Sequence, residues 1–270
     1  MEKNLIRLFV LIFMLAFLID RALISFFYVE IPIEKKSALV NYEKFCKMDI
    51  TGEALINIKS FCEKNKIDFS TYLSSYMVEH DYSVDGLEGE LKRLGDRNTP
   101  NLELKHLYHM VFADIECFPI LCENEEDKKR YTYVDSYLAE RTYGGDRKHM
   151  GTDIMDNENE SGYFKIVSMT DGIVENVGWL ELGGYRIGIR SNSGTYFYYA
   201  HLAGYVEGLK EGDNVVAEQL LGYMGSTGYG EEGTDDQFDV HLHLGICLVE
   251  EGKEELWVNP FSILKMVDTK

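Results

Sequence analysis

The chain opens on an unbroken apolar run, LFVLIFMLAFLI at 8–19, preceded by Lys3 and Arg7 and followed by Asp20 and Arg21. Twelve helical residues span about 18 Å, short of a hydrocarbon core of ~30 Å. Apolar character resumes at 22–29, ALISFFYV. Taken whole, 8–29 is long enough to cross a membrane, with Asp20 and Arg21 as a penalty. No small-x-small cleavage site follows, so the segment is expected to be an uncleaved single-pass anchor, with a cleaved export signal as second choice. In either case the basic end stays inside and the remainder is extracellular.

From 40 to 112 the apolar positions recur at helical spacing. EALINIKSFCEK (53–64), STYLSSYMVE (70–79, with Ser70 as cap) and the stretch 101–112 after Pro100 are predicted helices. Beyond about residue 140 the pattern changes. Of the 24 glycines, 20 follow residue 141, and short β-branched and aromatic runs alternate with them. The runs 163–169, 172–178, 185–190, 195–201 and 240–249 are predicted strands. Three regions result: a membrane anchor or signal at 1–35, an α-helical region at 36–125, and a β-rich domain at 126–270. The expected fold class is mainly β, an antiparallel barrel or sandwich, preceded by a small α-helical region and an N-terminal apolar helix.

A net charge of −19 disfavours nucleic acid as a partner, because phosphates would be repelled. The five cysteines contain no Cys-x-x-Cys pair, which argues against a zinc ribbon. In an exported protein a Cys46–Cys62 or Cys117–Cys122 bridge is open, and buried free thiols are the alternative.

Histidine is where the chemistry lies. The chain has seven, and four of them fall in three short segments: HMGTD at 149–153, YYAH at 198–201 and HLHL at 241–244. His106 and His109, at i and i+3 on a predicted helix, read as ordinary surface or core histidines. Strand alternation places His241, His243 and Gly245 on one face, with Leu242, Leu244 and Ile246 on the core side. The same rule groups Phe197, Tyr199 and His201. His149 and Asp153 are expected to converge through a turn entering a strand. A catalytic zinc takes three protein ligands and leaves one position for water. His149, Asp153 and one of His241 or His243 meet that count, and the remaining histidines are left for acid–base work.

The segments HMGTD (149–153), YAHL (199–202), GYMGSTG (222–228), HLHL (241–244) and WVNP (257–260) resemble, in order, those of the lysostaphin/LytM-type zinc endopeptidases. The resemblance covers residues 130–265 and implies that family's duplicated hybrid-motif β fold. It implies one zinc ion held by His149, Asp153 and His243, with His201 and His241 as the catalytic pair. It also implies hydrolysis of peptide cross-links or stem peptides of bacterial peptidoglycan, in cell-wall remodelling. Tyr199, Ser226 and Thr227 are weaker candidates for substrate contact, Tyr199 by sharing a face with His201 and the other two as part of a turn at the cleft rim. Two departures stand out. Leu244 replaces the usual Phe, and the acidic stretch 231–239 is longer than usual. The latter reads as a solvated loop, or alternatively as a second cation site or a selector of basic stem residues. Competing functions are a catalytically inactive scaffold or activator and a peptidase for glycine-rich proteins. Latency through a Cys117 or Cys122 thiolate on the open zinc position is a regulatory alternative.

Overall fold

The computed structural model describes residues 39–86, 91–92, 101–143, 145–249 and 254–268. The apolar segment 8–29 lies outside them. Among the described residues no helix is long and apolar enough to cross a membrane. Residues Val40–Lys270 form one compact unit.

The helices of the first half start where short polar side chains satisfy their free N–H groups. Helix α1 (Tyr42–Lys47) is capped by Asn41 and α2 (Gly52–Asn65) by Thr51. Helix α3 (Phe69–Glu79) is capped not by Ser70 but by Asp68, whose carboxylate accepts from Thr71 N at 2.9 Å. Ser70 is already inside the helix and buried. Helix α4 (Leu102–Phe112) is capped by Asn101. His106 and His109 lie on its exposed side. The short α5 (Glu125–Arg130) and the C-terminal α6 (Phe261–Val267) complete the set among the described residues.

Strands β1 (Asp49–Ile50) and β2 (Ser83–Val84) form a small parallel pair among the helices. The main sheet has 11 strands and is antiparallel throughout. Its members are β3 (Ile120–Leu121), β4 (Tyr131–Tyr133) and, beyond the separate hairpin β5 (Glu140–Arg141) and β6 (Arg147–Lys148), the strand β7 (Thr152–Asp156). There follow β8 (Lys165–Val167), β9 (Gly172–Leu180), β10 (Gly184–Ser191), β11 (Thr195–Tyr205), β12 (Asn214–Val215), β13 (Leu220–Met224), β14 (His241–Leu248) and β15 (Leu256–Val258). All five predicted strands are present, at shifted ends.

The sheet is branched, and the branch lies on β11. Along Thr195–Ala200 that strand pairs with β14; from Leu202 to Tyr205 it pairs with β13. His201 is the residue between the two partners. Strand β14 continues the sheet on its far edge to β7, and β7 to β4. The core behind this branch is built from Phe197, Tyr199, Leu202, Leu242, Leu244 and Ile246, each fully buried. The leucine face of β14 is therefore core, as alternation predicts. Each such side chain contributes about 1.5–3 kcal/mol by leaving water.

The β4–β7 edge is closed by a charged knot. Arg130 bonds both carboxylate oxygens of Asp156 at 2.6 and 2.7 Å and lies over the Tyr163 ring, 3.5 Å from its centroid. The Asp156 and Arg130 side chains are 0% and 8% exposed. Burial raises the Asp156 pKa, but the Arg130 bonds and the Glu158 and Glu160 amides outweigh it, so the carboxyl sits below its ordinary range. An Arg130→Met variant leaves that carboxylate buried without its partner, and a loss of about 3 kcal/mol is expected in urea denaturation at pH 7. Because the folded pKa is depressed, this contribution is complete above the unfolded value of about 3.9 and fades as pH falls through the folded value. The difference between the two proteins should therefore shrink below about pH 4; a gap that persists there would place the effect in packing.

Candidate metal centre and active site

The site lies where the sheet branches. Strand β14 sets His243 directly opposite Asp153 of β7, and opposite Ala200 of β11 on its other edge. His149 enters from the turn before β7, its backbone anchored by His149 N to Ala139 O (2.9 Å) and Leu138 N to His149 O (2.8 Å). The donor atoms meet closely. His149 Nε2 lies 2.9 Å from Asp153 Oδ1 and 2.9 Å from His243 Nδ1, and His243 Nδ1 lies 2.9 Å from Asp153 Oδ1. Among the described residues these three form the one group able to hold a metal ion.

The tautomer of His149 tests whether a cation fits there. Its Nδ1 faces the Ser136 carbonyl at 2.9 Å, and a carbonyl can only accept. Nδ1 therefore carries a proton, and Nε2 is aimed at a carboxylate oxygen. In the neutral ring a lone pair then faces an anion, which is repulsive unless a positive charge sits between them. The carboxyl of Asp153 is pushed up by its burial, but the bonds from His149 and His243 more than reverse this and hold it well below the usual carboxylate range. Its other oxygen, Oδ2, accepts from Arg141 Nη2 at 2.5 Å, which leaves Oδ1 for the metal. Burial lowers the pKa of His243, against the pull of Asp153, and favours the neutral ligand form. The donor set thus fits zinc.

His201 and His241 stand beside this group, their rings 4.7 Å apart. Each is oriented by a backbone carbonyl: His201 Nδ1 donates to Thr227 O at 2.8 Å and His241 Nδ1 to Asp239 O at 2.7 Å. Both rings accordingly turn Nε2 to the cleft, that of His241 lying 3.8 Å from Asp153 Oδ1. Burial, reinforced by His241 and His243, carries the pKa of His201 well below its ordinary value, so its ring is neutral at pH 7.

Three sequence expectations need correction. Tyr199 does not share the cleft with His201: it is fully buried and its hydroxyl accepts from Met169 N at 2.9 Å. The reason is a bulge. Between the pairs Ile187–Tyr199 and Tyr185–Leu202, β11 carries one extra residue, and His201 adopts φ +61°. Such a bulge breaks the two-residue alternation, so Ala200 and His201 both face the cleft and Leu202 returns to the core. Tyr198, not Tyr199, lines the cleft. Ser226 and Thr227 are also buried and do not line it. The Ser226 hydroxyl bonds Asp236 (3.1 Å) and the Thr227 hydroxyl bonds Leu202 O (2.7 Å). Thr227 serves the site through its carbonyl, which holds His201.

The cysteines take no part. None of the five forms a disulfide among the described residues. Cys117 donates to Ser168 O at 3.1 Å, and burial raises its pKa to about 11, so it is no thiolate. The acidic loop at 231–239 adds no group of metal-binding donors among the described residues. Its Phe238 packs edge-on to His201 and covers one side of the cleft.

The cleft, about 190 Å³, is completed by Tyr229, from the glycine-rich turn read as its rim, and by residues that the sequence did not single out: Arg141, Arg147, Leu182, Gly183 and Phe238. Two histidines and a carboxylate beside two further buried imidazoles, open to a cleft, define a protein of the zinc-hydrolase class.

Comparison with known proteins agrees. The family model "Peptidase family M23" matches residues 147–256. A solved structure of lytM from Ruminococcus gnavus ATCC 29149 is 40% identical with a TM-score of 0.69, over 83% of this chain and 90% of that one. The L-Ala–D-Glu endopeptidase of Bacillus subtilis (strain 168) is 34% identical over 201 residues, 73% of this chain and 58% of that protein. The glycyl-glycine endopeptidase ALE-1 of Staphylococcus capitis is 35% identical over 104 residues, 38% of this chain and 26% of that protein. The chain belongs to peptidase family M23. It spans less than two thirds of the length of these two curated relatives.

Gly151 lies against the ring of His243: a Cβ there would stand 2.6 Å from His243 Cε1. That Cβ would stand closer still to Leu244 O, so a Gly151→Ala variant must displace the ring and the β14 backbone that carries it. Zinc affinity is expected to fall at least about tenfold, within the range found when a metal ligand loses its support. Competition titration against a chromophoric chelator checks this, and wild-type affinity would show that the ring has room to spare.

Proposed function

We propose that the protein is a zinc-dependent endopeptidase that hydrolyses peptide cross-links or stem peptides of bacterial peptidoglycan. The observation that carries this reading is the completeness of the site. His149, Asp153 and His243 converge as ligands, and His201 and His241 present two free imidazole nitrogens to the same cleft. An inactive scaffold of this fold would be expected to lack one of these groups. Two bond types are named for the relatives, L-Ala–D-Glu for the Bacillus subtilis protein and glycyl-glycine for ALE-1 and for the Ruminococcus gnavus protein.

When bound, zinc supplies Lewis-acid activation of water and of the scissile carbonyl. The protein's own residues do the remainder. Arg141 and Ser136 fix the orientation of Asp153 and His149 through the atoms not offered to the metal. His201 and His241, pinned at Nδ1, turn Nε2 to the cleft, where it can take a proton from the attacking water and return it to the leaving amine. Their position beside Asp153 also allows one of them, once protonated, to stabilise the developing oxyanion. Phe238 and Tyr229 stack around His201 and restrict water on that side.

Work on cell-wall peptides places the catalytic part outside the cytoplasm. The apolar run at 8–29 is read as tethering it to the outer face of the membrane, a reading supported by the sequence of that segment alone.

The ligands and the proton-transfer pair are separable by substitution. His243→Ala should lose both zinc and turnover. His241→Ala should retain zinc at near one ion per chain while turnover falls about a hundredfold or more. Metal analysis by mass spectrometry and muropeptide release from purified sacculi read the two effects. Equal loss of zinc in both variants would overturn the division of roles. Wild-type release should stop with chelator and return with zinc; persistent release in chelator would sink the proposed function.

A further inference from the structure

The hairpin β5–β6 shows an arrangement that folding alone does not favour. Its outer pair, Glu140 opposite Lys148, is an ordinary salt bridge of 3.1 Å. Its other pair sets Arg141 directly opposite Arg147. Like charges in direct cross-strand opposition are destabilising. Both arginines line the cleft of the metal centre. Arg141 is neutralised by Asp153. Arg147 has no carboxylate within ion-pairing distance among the described residues. Its Nη2 donates to the Tyr229 hydroxyl at 3.0 Å and its Nε to Tyr143 O at 3.2 Å, both neutral acceptors.

These contacts hold the guanidinium in place. Tyr143 and Tyr229 stack face to face, their centroids 4.1 Å apart and their planes at 6°, and the Tyr143 hydroxyl donates to Tyr229 O. Arg147 is pinned against this pair, 5.8 Å from the Tyr229 ring centroid. Two of the five N–H donors of an arginine are engaged, and the others remain for a ligand. With Asp153 committed to Arg141 and the metal, the cleft has cationic groups in excess. A guanidinium held in this way suits a planar carboxylate.

We propose that Arg147 is a specificity-determining residue that receives the free carboxylate of an acidic residue flanking the scissile bond. The inference rests on the endopeptidase reading and selects between the two bond types named above: an acid-flanked bond is preferred over a run of neutral glycines. Arg141 contributes by its charge, Arg147 by direct hydrogen bonds.

The test uses two synthetic stem-type peptides, identical except that the acidic residue next to the scissile bond carries a free carboxylate in one and its amide in the other. Zinc-loaded full-length protein should favour the carboxylate about tenfold or more in kcat/KM, chiefly through KM. In Arg147→Met that ratio should collapse toward one whatever the absolute rates, and in Arg147→Lys it should be intermediate. Tyr229→Phe, which removes one support of the guanidinium and leaves the charge, should reduce the ratio in part. Zinc content and circular dichroism of each variant report on folding. A wild-type ratio near one, or an undiminished ratio in Arg147→Met, overturns the proposal. Should neither peptide be cleaved, the endopeptidase reading suffers, and titration calorimetry still decides this one. Binding about tenfold tighter for the carboxylate peptide and lost in Arg147→Met upholds it; equal or absent binding refutes it.

Discussion

The register of β14 is the constraint on which the site depends. Its two neighbours hold it from both edges, Asp153 standing opposite His243 on β7 and Ala200 opposite it on β11. A slip of one residue would exchange the faces of the strand, sending both histidines into the core and the leucines into the cleft. Leu242, Leu244 and Ile246 are fully buried, so the slip would cost several kcal/mol in burial before any polar group is counted. The chemistry of the polar face is thus positioned by the apolar face behind it.

The branch of the sheet adds a second requirement. One strand cannot keep two antiparallel partners on the same edge without a break, and β11 makes the break at His201 by a bulge and a left-handed residue. A non-glycine residue in that conformation is uncommon and costs about 1–2 kcal/mol. What is gained is two successive residues on the cleft side, which brings His201 beside His241 and its Nδ1 onto the Thr227 carbonyl. Strain of this sort collects where function needs a side chain that regular alternation would send elsewhere.

This also marks how much was legible in the chain. Helix existence, strand existence, the core face of β14 and the convergence of His149 and Asp153 on a turn entering a strand follow from local periodicity and composition. The resemblance in HMGTD, YAHL and HLHL then led to the family. Tyr199 was misassigned because alternation presumes an unbroken strand, and the bulge is set by the register of pairing with β10 and β13, which leaves no periodic signal in the sequence of β11 itself. Ser226 and Thr227 were misassigned because a polar residue in a glycine-rich turn looks alike whether its hydroxyl faces solvent or caps a buried carbonyl. Asp68 displaced Ser70 as cap for a local reason: both types cap well, and the cap lies two residues earlier than the apolar pattern suggests. Arg141 and Arg147 carried no signal, since charged residues in a short polar hairpin usually face water. The change of texture near 125–140 suggested a boundary, whereas the described helices and the sheet share one hydrophobic core.

The overall charge and the charge at the cleft have opposite signs, and the two act at different ranges. A net charge of −19 would repel an anionic polymer at low salt. At physiological ionic strength the Debye length is about 8 Å, so exposed acidic groups such as Glu231, Glu232 and Asp235 are largely screened beyond that distance. Inside the cleft, screening is weaker and the nearest charges decide: Arg141, Arg147 and the metal against Asp153 alone. An anionic group that has reached the cleft therefore meets attraction, whereas one sliding over the outer surface meets weak repulsion. Such a surface disfavours adhesion to anionic polymers, while the cleft keeps its attraction for a carboxylate.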